Sequence, residues 1–216
     1  MIKLVIFDLD GTLIDTLYDL AVSVNHILRK YAYPEHEPKA YRRFVGNGVQ
    51  MLMHKALPQE ARDVENVTRL REEFVEYYEL HKSDNTHPYE GVVELIAELK
   101  LRGIKMAVAS NKYHSGTVAL AEQFFGEDTF SIILGQREGV PVKPDATIVR
   151  EILEATSVKA EEAIYVGDSD VDMFTAKNAG VHSVGVTWGL RSRLELVNSG
   201  ARDIVDSAVE ILDVNI

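Results

Sequence analysis

The stretch Lys3-Leu4-Val5-Ile6-Phe7-Asp8-Leu9-Asp10-Gly11-Thr12 decides the fold. Residues 3–7 form a short β-branched and aromatic run, the pattern of a buried strand. The run meets an acidic, glycine-containing turn at once. Beyond the turn, from about residue 16 to 31, Leu17, Leu20, Ala21, Val24, Ile27 and Leu28 recur at helical spacing on one face. Pro34 and Pro38 break that pattern. Helical segments then follow at about 38–44, 49–56 and 60–80, with no convincing strand among them.

After the polar stretch 81–89 the rhythm changes. Helical segments at 91–102, 114–124, 145–156 and 171–179 each lead into a short apolar strand, at 104–109, 131–134, 163–166 and 182–186. Weaker strand and helix signals close the chain at 203–205 and 208–212. Alternation of this kind implies right-handed crossovers and a mainly parallel sheet. The expected fold class is therefore α/β, a doubly wound, Rossmann-like sheet carrying an inserted α-helical domain. The expected division is 1–15 plus 82–216 for the core and 16–81 for the insertion.

The bulk composition agrees with one globular protein of this size. Of 216 residues, 46% are hydrophobic and 26% charged, an ordinary mixture that argues against disorder. There is no cysteine, which excludes disulfides, thiolate metal sites and a catalytic thiol. The formal net charge of -11 argues against nucleic acid as a partner. It also requires any phosphate site to supply strong local positive potential from a metal ion, a lysine or helix N-termini. No apolar stretch approaches the ~20 residues of a membrane span. The first residues lack a basic lead and a small-residue cleavage site, so a cytoplasmic location without membrane partners is expected.

In a doubly wound sheet, ligands bind beyond the carboxyl ends of the strands. Those ends deliver Asp8 and Asp10 from the first strand and Ser110-Asn111-Lys112 from the second. The loop after the third holds Lys143-Pro144, and the fourth strand delivers Gly167-Asp168-Ser169-Asp170-Val171-Asp172. Any one loop has a plain structural reading. An Asp-x-Asp-Gly turn caps itself, Ser110 can be a helix N-cap, and Lys143 can be a solvated loop lysine. Converging on one rim, they form what metal-assisted phosphoryl transfer needs. Hard Mg²⁺ takes oxygen ligands, which Asp8 and Asp168 can supply. A carboxylate nucleophile divides the reaction into two displacements, and Asp10, two residues on, can protonate the leaving oxygen. Ser110 can hydrogen-bond a phosphate oxygen, and Lys143 can offset transition-state charge.

These residues resemble the four motifs of the haloacid dehalogenase superfamily. Asp8-Leu9-Asp10-Gly11-Thr12-Leu13-Ile14-Asp15-Thr16 is similar to the first. Ser110-Asn111, Lys143-Pro144 and Gly167-Asp168-Ser169-Asp170-Val171-Asp172 are similar to the second, third and fourth, in order. The resemblance spans the whole chain, including a helical cap after the first motif. It implies Asp8 as nucleophile and Asp10 as general acid/base. It implies Mg²⁺ on Asp8, the Asp10 carbonyl and Asp168, with Asp172 holding either a metal-bound water or Lys143. Ser110, Lys143 and the backbone N–H groups from Leu9 to Gly11 would bind the phosphoryl group, assisted by Asn111. Ala146 departs from the relatives' second proline, which should affect only the start of the next helix.

Tyr41-Arg42-Arg43-Phe44-Val45-Gly46-Asn47-Gly48, with Leu52 and Ala56-Leu57, resembles the cap of phosphoglycolate phosphatases. The glycine loop has a plain reading as a helix–helix turn and a functional one as a substrate contact. Arg42, Arg43 and the backbone of Gly46-Asn47-Gly48 are the candidate substrate contacts; consecutive arginines on a helix point about 100° apart, so only one can face a pocket, and Arg43, closer to the glycine loop, is favoured together with Asn47. Asp170 is expected to flank the following helix, and Trp188-Gly189 to pack a loop. The expected activity is hydrolysis of a small phosphate monoester by a monomer or homodimer. A sugar-phosphate mutase, a pyrophosphatase and a non-catalytic phosphate-binding module are the alternatives. Asp10 counts against dehalogenase and phosphonate-cleaving chemistry, which do not need the same acid/base there.

Overall fold

A computed structural model describes residues 2–214. Met1, Asn215 and Ile216, assigned to the core by the expected division, lie outside the described residues. The first strand, β1 (Leu4–Phe7), is buried along its whole length. Its side chains alternate between two faces. Val5 and Phe7 join the cluster that holds Val92, Leu95 and Leu120, while Leu4 and Ile6 join the one that holds Ile148, Val149 and Ile152.

Among the described residues six strands make the sheet: β1, β4 (Lys105–Tyr113), β5 (Ile132–Gln136), β6 (Ala163–Gly167), β7 (His182–Val186) and β8 (Asp203–Val205). Their spatial order is β5-β4-β1-β6-β7-β8, and every neighbouring pair is parallel. β1 lies between β4 and β6, with Phe7 opposite Val108 and Val166. The chain crosses to one side of β1 and then to the other. Such a switch point opens a crevice at the carboxyl end of the central strand. Asp8 is the next residue.

The crossover helices are α4 (Val92–Leu101), α5 (His114–Phe125), α6 (Thr147–Thr156) and α7 (Asp170–Ala179). At α6, Asp145 caps the first turn from two residues upstream. Its Oδ1 accepts from Thr147 N at 2.8 Å and from Thr147 Oγ1 at 2.6 Å.

Residues 17–81 are helical, with α1 (Leu17–Lys30), α2 (Gly48–Ala56), α3 (Val64–His81) and two 3-10 turns, Pro38–Arg43 and Gln59–Ala61. They share a separate apolar cluster that includes Leu20, Val24, Ile27, Leu28, Leu52, Leu70, Phe74 and Tyr78. Two dipeptide strands, β2 (Ile14–Asp15) and β3 (His87–Pro88), pair antiparallel where the chain leaves for this helical segment and returns. The sequence pattern gave no sign of them.

Asp19 fastens the same junction. Its buried carboxylate accepts from Asn85 N at 2.9 Å, Asn85 Nδ2 at 2.9 Å, Thr86 N at 2.8 Å and Thr86 Oγ1 at 2.8 Å. Burial pushes its pKa up, but these hydrogen bonds outweigh burial and hold it below the usual carboxylate value. Among the described residues no helix is long and apolar enough to cross a membrane.

Candidate active site

Four chain segments meet over the end of β1. Asp8 follows β1 directly, and its N–H donates to Val166 O on β6 at 2.9 Å. Gly11, at φ +92°, turns the chain back so that Gly11 N donates to Ile14 O at 3.0 Å. This turn brings Asp10 beside Asp8. It also uses the Gly11 N–H internally, and the Leu9 N–H goes to Asp8 Oδ1 at 2.7 Å.

The second segment is a continuation of β4. Residues 104–109 were expected as strand and Ser110-Asn111-Lys112 as loop; the strand instead runs on to Tyr113 with a register shift between Ala109 and Tyr113. The shift re-aims successive side chains at the end of the ladder. Ser110 Oγ, buried, accepts from Lys112 N at 3.2 Å. Asn111 braces rather than probes. Its Oδ1 accepts from Lys143 N at 2.8 Å, and its Nδ2 donates to Lys143 O at 3.1 Å and Gly46 O at 3.0 Å. Every polar atom of that amide is thereby engaged.

Lys143 comes from the third segment, and its side chain is 1% exposed. Its Nζ lies 2.7 Å from Asp172 Oδ1, 3.0 Å from Asp8 Oδ1, 2.9 Å from Tyr165 Oη and 3.0 Å from Ala109 O. Burial disfavours the ammonium, but Asp172 and Asp8 outweigh it and keep the lysine charged. Tyr165, read from sequence as one more apolar strand residue, is a member of this network.

The fourth segment supplies Asp168 and Asp172. Ser169 and Asp172 form a reciprocal capping box at the start of α7, with Ser169 Oγ donating to Asp172 Oδ2 at 2.6 Å. Both oxygens of Asp172 are therefore occupied, one by Lys143 and Tyr165, the other by Ser169. Asp170 opens the helix, half-exposed, with Arg191 Nε 3.7 Å away.

Asp168 is held by a loop that sequence reasoning set aside. Leu190 N donates to Asp168 Oδ2 at 2.6 Å, and Thr12 Oγ1 donates to Oδ1 at 3.4 Å. A methyl group on either Gly11 or Gly189 would overlap the Asp168 carboxylate. Trp188 Nε1 donates to Thr12 O at 3.1 Å and so fixes this loop to the first turn. Backbone donors and missing side chains leave no mark in a residue pattern, so these contacts were invisible there.

Asp8, Asp168 and Asp172 each offer an oxygen within 4.8 Å of the others. Burial, followed by the charge of Asp172, pushes the Asp8 carboxyl well above its usual range against the opposing Lys143. The same two causes push Asp168 up to about 7, opposed by the Leu190 N–H, Arg191 and Lys143. Three buried carboxylates face one buried ammonium. The oxygen donor set and the unbalanced negative charge fit a divalent cation.

Beside Asp8 lies a cavity of about 40 Å³, bounded by Asp10, Ser110, Asn111 and Lys112 on the sheet side. Leu20, Val45, Val49, Leu52 and the glycines 46 and 48 bound it on the helical side. The structure does not bring Arg43 or Asn47 to it. Arg43 is exposed and borders outer grooves with Glu195 and Arg191, one of which it shares with Asn47. Arg42 reaches across to the sheet side, donating from Nη2 to Gly189 O at 2.5 Å. Arg191 reaches back, donating to Arg42 O and, at 3.1 Å, to Val45 O.

The sequence matches the family model for haloacid dehalogenase-like hydrolases over residues 5–186. It is 36% identical over 192 residues to a phosphoglycolate phosphatase of Mesorhizobium japonicum, covering 88% of this chain and 85% of that one. It is 34% identical over 218 residues to the phosphoglycolate phosphatase of Vibrio parahaemolyticus, covering 99% and 96%. The fold superposes on the crystal structure of a candidate phosphoglycolate phosphatase from Lactobacillus delbrueckii subsp. bulgaricus with TM-score 0.90 at 30% identity, covering 97% and 96%. The chain therefore belongs to the haloacid dehalogenase-like hydrolases, as a phosphatase of the phosphoglycolate phosphatase-like kind.

Proposed function

We propose that this phosphatase is Mg²⁺-dependent and hydrolyses a small phosphate monoester, of the phosphoglycolate kind, through an aspartyl phosphate on Asp8. One observation carries the reading. Asp8 stands at the switch point of the sheet with the Lys143 ammonium 3.0 Å from its carboxylate and Asp168 and Asp172 beside it.

The contacts of Asp8, Lys143 and Asp172 support these roles. The Asp8 carboxylate attacks phosphorus, the bond from phosphorus to the ester oxygen breaks, and Asp10 gives that oxygen its proton. Asp10 then takes a proton from water as the water attacks the aspartyl phosphate. Phosphate leaves, and Asp8 is restored. Ser110 and Lys143 bind the phosphoryl oxygens. Lys143 stays charged throughout because Asp172 holds it. Asp8, the backbone carbonyl of Asp10 and Asp168 would hold Mg²⁺, while Asp172, its oxygens already engaged, serves Lys143. The bound ion would supply positive charge next to the phosphoryl oxygens.

The division into a core of 1–15 plus 82–216 and a cap of 16–81 belongs to this reading. The separate apolar cluster of the helices and the paired strands at the junction support it. A cap seated over Asp8 keeps stray nucleophiles from the aspartyl phosphate.

Phosphate release from phosphoglycolate should require Mg²⁺, stop on chelation and return when the ion is restored. Asp8→Asn should reduce turnover to background and abolish a trappable phosphoenzyme. Full turnover in excess chelator, or by Asp8→Asn, would refute the mechanism. Isomerisation of a sugar phosphate without phosphate release would make the protein a mutase instead.

A further inference from the structure

The cation that faces the leaving-group space is Lys112, not an arginine of the helical segment. Its side chain is 3% exposed, at the strand extension that also carries Ser110. Its Nζ lies 3.0 Å and 3.1 Å from the two oxygens of Asp10 and 4.7 Å from the centre of the Tyr78 ring. Glu79, the residue after Tyr78 in α3, feels its charge. No third acceptor for the ammonium is present among the described residues. Lys112 borders the cavity beside Asp8 together with Asp10, Ser110 and Asn111, and the side chains that face it from the helical segment, Leu20, Val45, Val49 and Leu52, are apolar. Among the described residues that line this cavity, Lys112 is the cationic one.

Reach narrows the ligand. Asp10 must approach the ester oxygen to within about 2.8 Å to protonate it. Lys112 lies 3.0 Å from Asp10, so its ammonium is within about 6 Å of that ester oxygen. A carboxylate on the carbon next to the ester oxygen reaches a hydrogen-bonding distance from Nζ. A charge several carbons away overshoots it.

We propose that Lys112 is the specificity-determining residue of this phosphatase, its ammonium binding a carboxylate borne on the carbon adjacent to the phosphate ester oxygen. The proposal rests on the phosphatase reading above and sharpens it.

The test compares kcat/KM for phosphoglycolate with kcat/KM for ethyl phosphate, which has the same two-carbon stem without the carboxylate. The ratio cancels any damage that a variant does to Asp10 and hence to both substrates. Lys112→Met should lower the ratio by about 100-fold, the usual scale for a buried charge-assisted hydrogen bond. Lys112→Arg should keep it within about tenfold, and Arg43→Ala should not change it. If Lys112→Met does not fold, Lys112→Gln is measured in its place. A ratio unchanged by loss of the ammonium, with both substrates falling together, would overturn the proposal and leave Lys112 as a brace for Asp10. A ratio that collapses in Arg43→Ala would also overturn it. A wild type that hydrolyses ethyl phosphate but not phosphoglycolate removes the proposal alone. Release from neither substrate, nor from p-nitrophenyl phosphate, removes the phosphatase reading as well.

Discussion

The sheet rim and the helical segment face each other across one small cavity, yet they are built on opposite rules. On the rim nearly every polar atom is committed. Lys143 contacts four oxygens, Asp172 accepts from three residues, and Asn111 spends its whole amide on two backbone segments. The helical side contributes Leu20, Val45, Val49 and Leu52, which give shape and no direction. Three of the contacts that seat one side on the other run from a side chain to a backbone carbonyl. Arg42 donates to Gly189 O, Arg191 to Val45 O and Asn111 to Gly46 O. Carbonyls are present whatever the residue. Apart from Arg42 and Asp19, the helical segment can change its sequence and keep these contacts, whereas the rim cannot change one side chain without stranding another.

The largest expected effect comes from breaking the rim without removing a polar group. In Gly189→Ala the added methyl would overlap Asp168 and the Gly11 carbonyl, neither of which has room to give. Phosphatase activity should fall at least about 100-fold, with a higher Mg²⁺ requirement and an unchanged circular dichroism spectrum, for strain of roughly 3 kcal/mol. Activity within tenfold of wild type would mean that the rim is more pliant than its packing implies.

A smaller effect should follow at the junction. Asp19→Ala leaves the donors of Asn85 and of the buried Thr86 without their acceptor, so urea denaturation should show a loss of about 1–3 kcal/mol. The lowered pKa of Asp19 sets the pH behaviour. Its contribution is complete above the ordinary carboxylate value of about 4 and is lost as pH falls through the lower folded value. The gap between wild type and variant should thus narrow as the pH falls through that lowered value. A gap that stays constant throughout acid titration would assign the effect to packing.

The smallest effect separates rim from ion. Asp168, raised to about 7, and Asp8, raised as well, bind protons in the folded metal-free protein that the unfolded chain releases. Stability from this source is present below about pH 4 and is lost as pH rises through about 7. The metal-free protein should melt a few degrees higher at pH 6 than at pH 8. Added Mg²⁺ should raise the melting temperature more at pH 8, where no proton competes. Equal Mg²⁺ shifts at both values would separate the ion from these carboxylates.

The sequence made the rim legible far more than its support. β1, β6 and β7 and the four loops could be placed because apolar runs stop abruptly at Asp8, Asp168 and Thr187. Ser110-Asn111-Lys112 read as loop because its polarity hid a strand that continues beyond the apolar core. Lys112 was passed over for the same reason. The arginines were harder. Their place beside the glycine loop was plain, but Pro38–Arg43 is a 3-10 turn, and its tighter winding sends Arg42 to Gly189 and leaves Arg43 outside. α8 (Arg193–Asn198) was missed because six residues are too few to show a period. Its Ser192–Glu195 capping box was the available signal.

The paired dipeptides Ile14–Asp15 and His87–Pro88 have a consequence for how such a protein diversifies. They hold the exit and the return of the helical segment about 5 Å apart, the spacing of neighbouring strands. A graft needs only two ends at that separation. Replacing everything between them with another compact unit disturbs neither the sheet order nor the turn that carries Asp8 and Asp10. The junction works as a socket, and new selectivity can be tried in it while the reacting groups stay as they are.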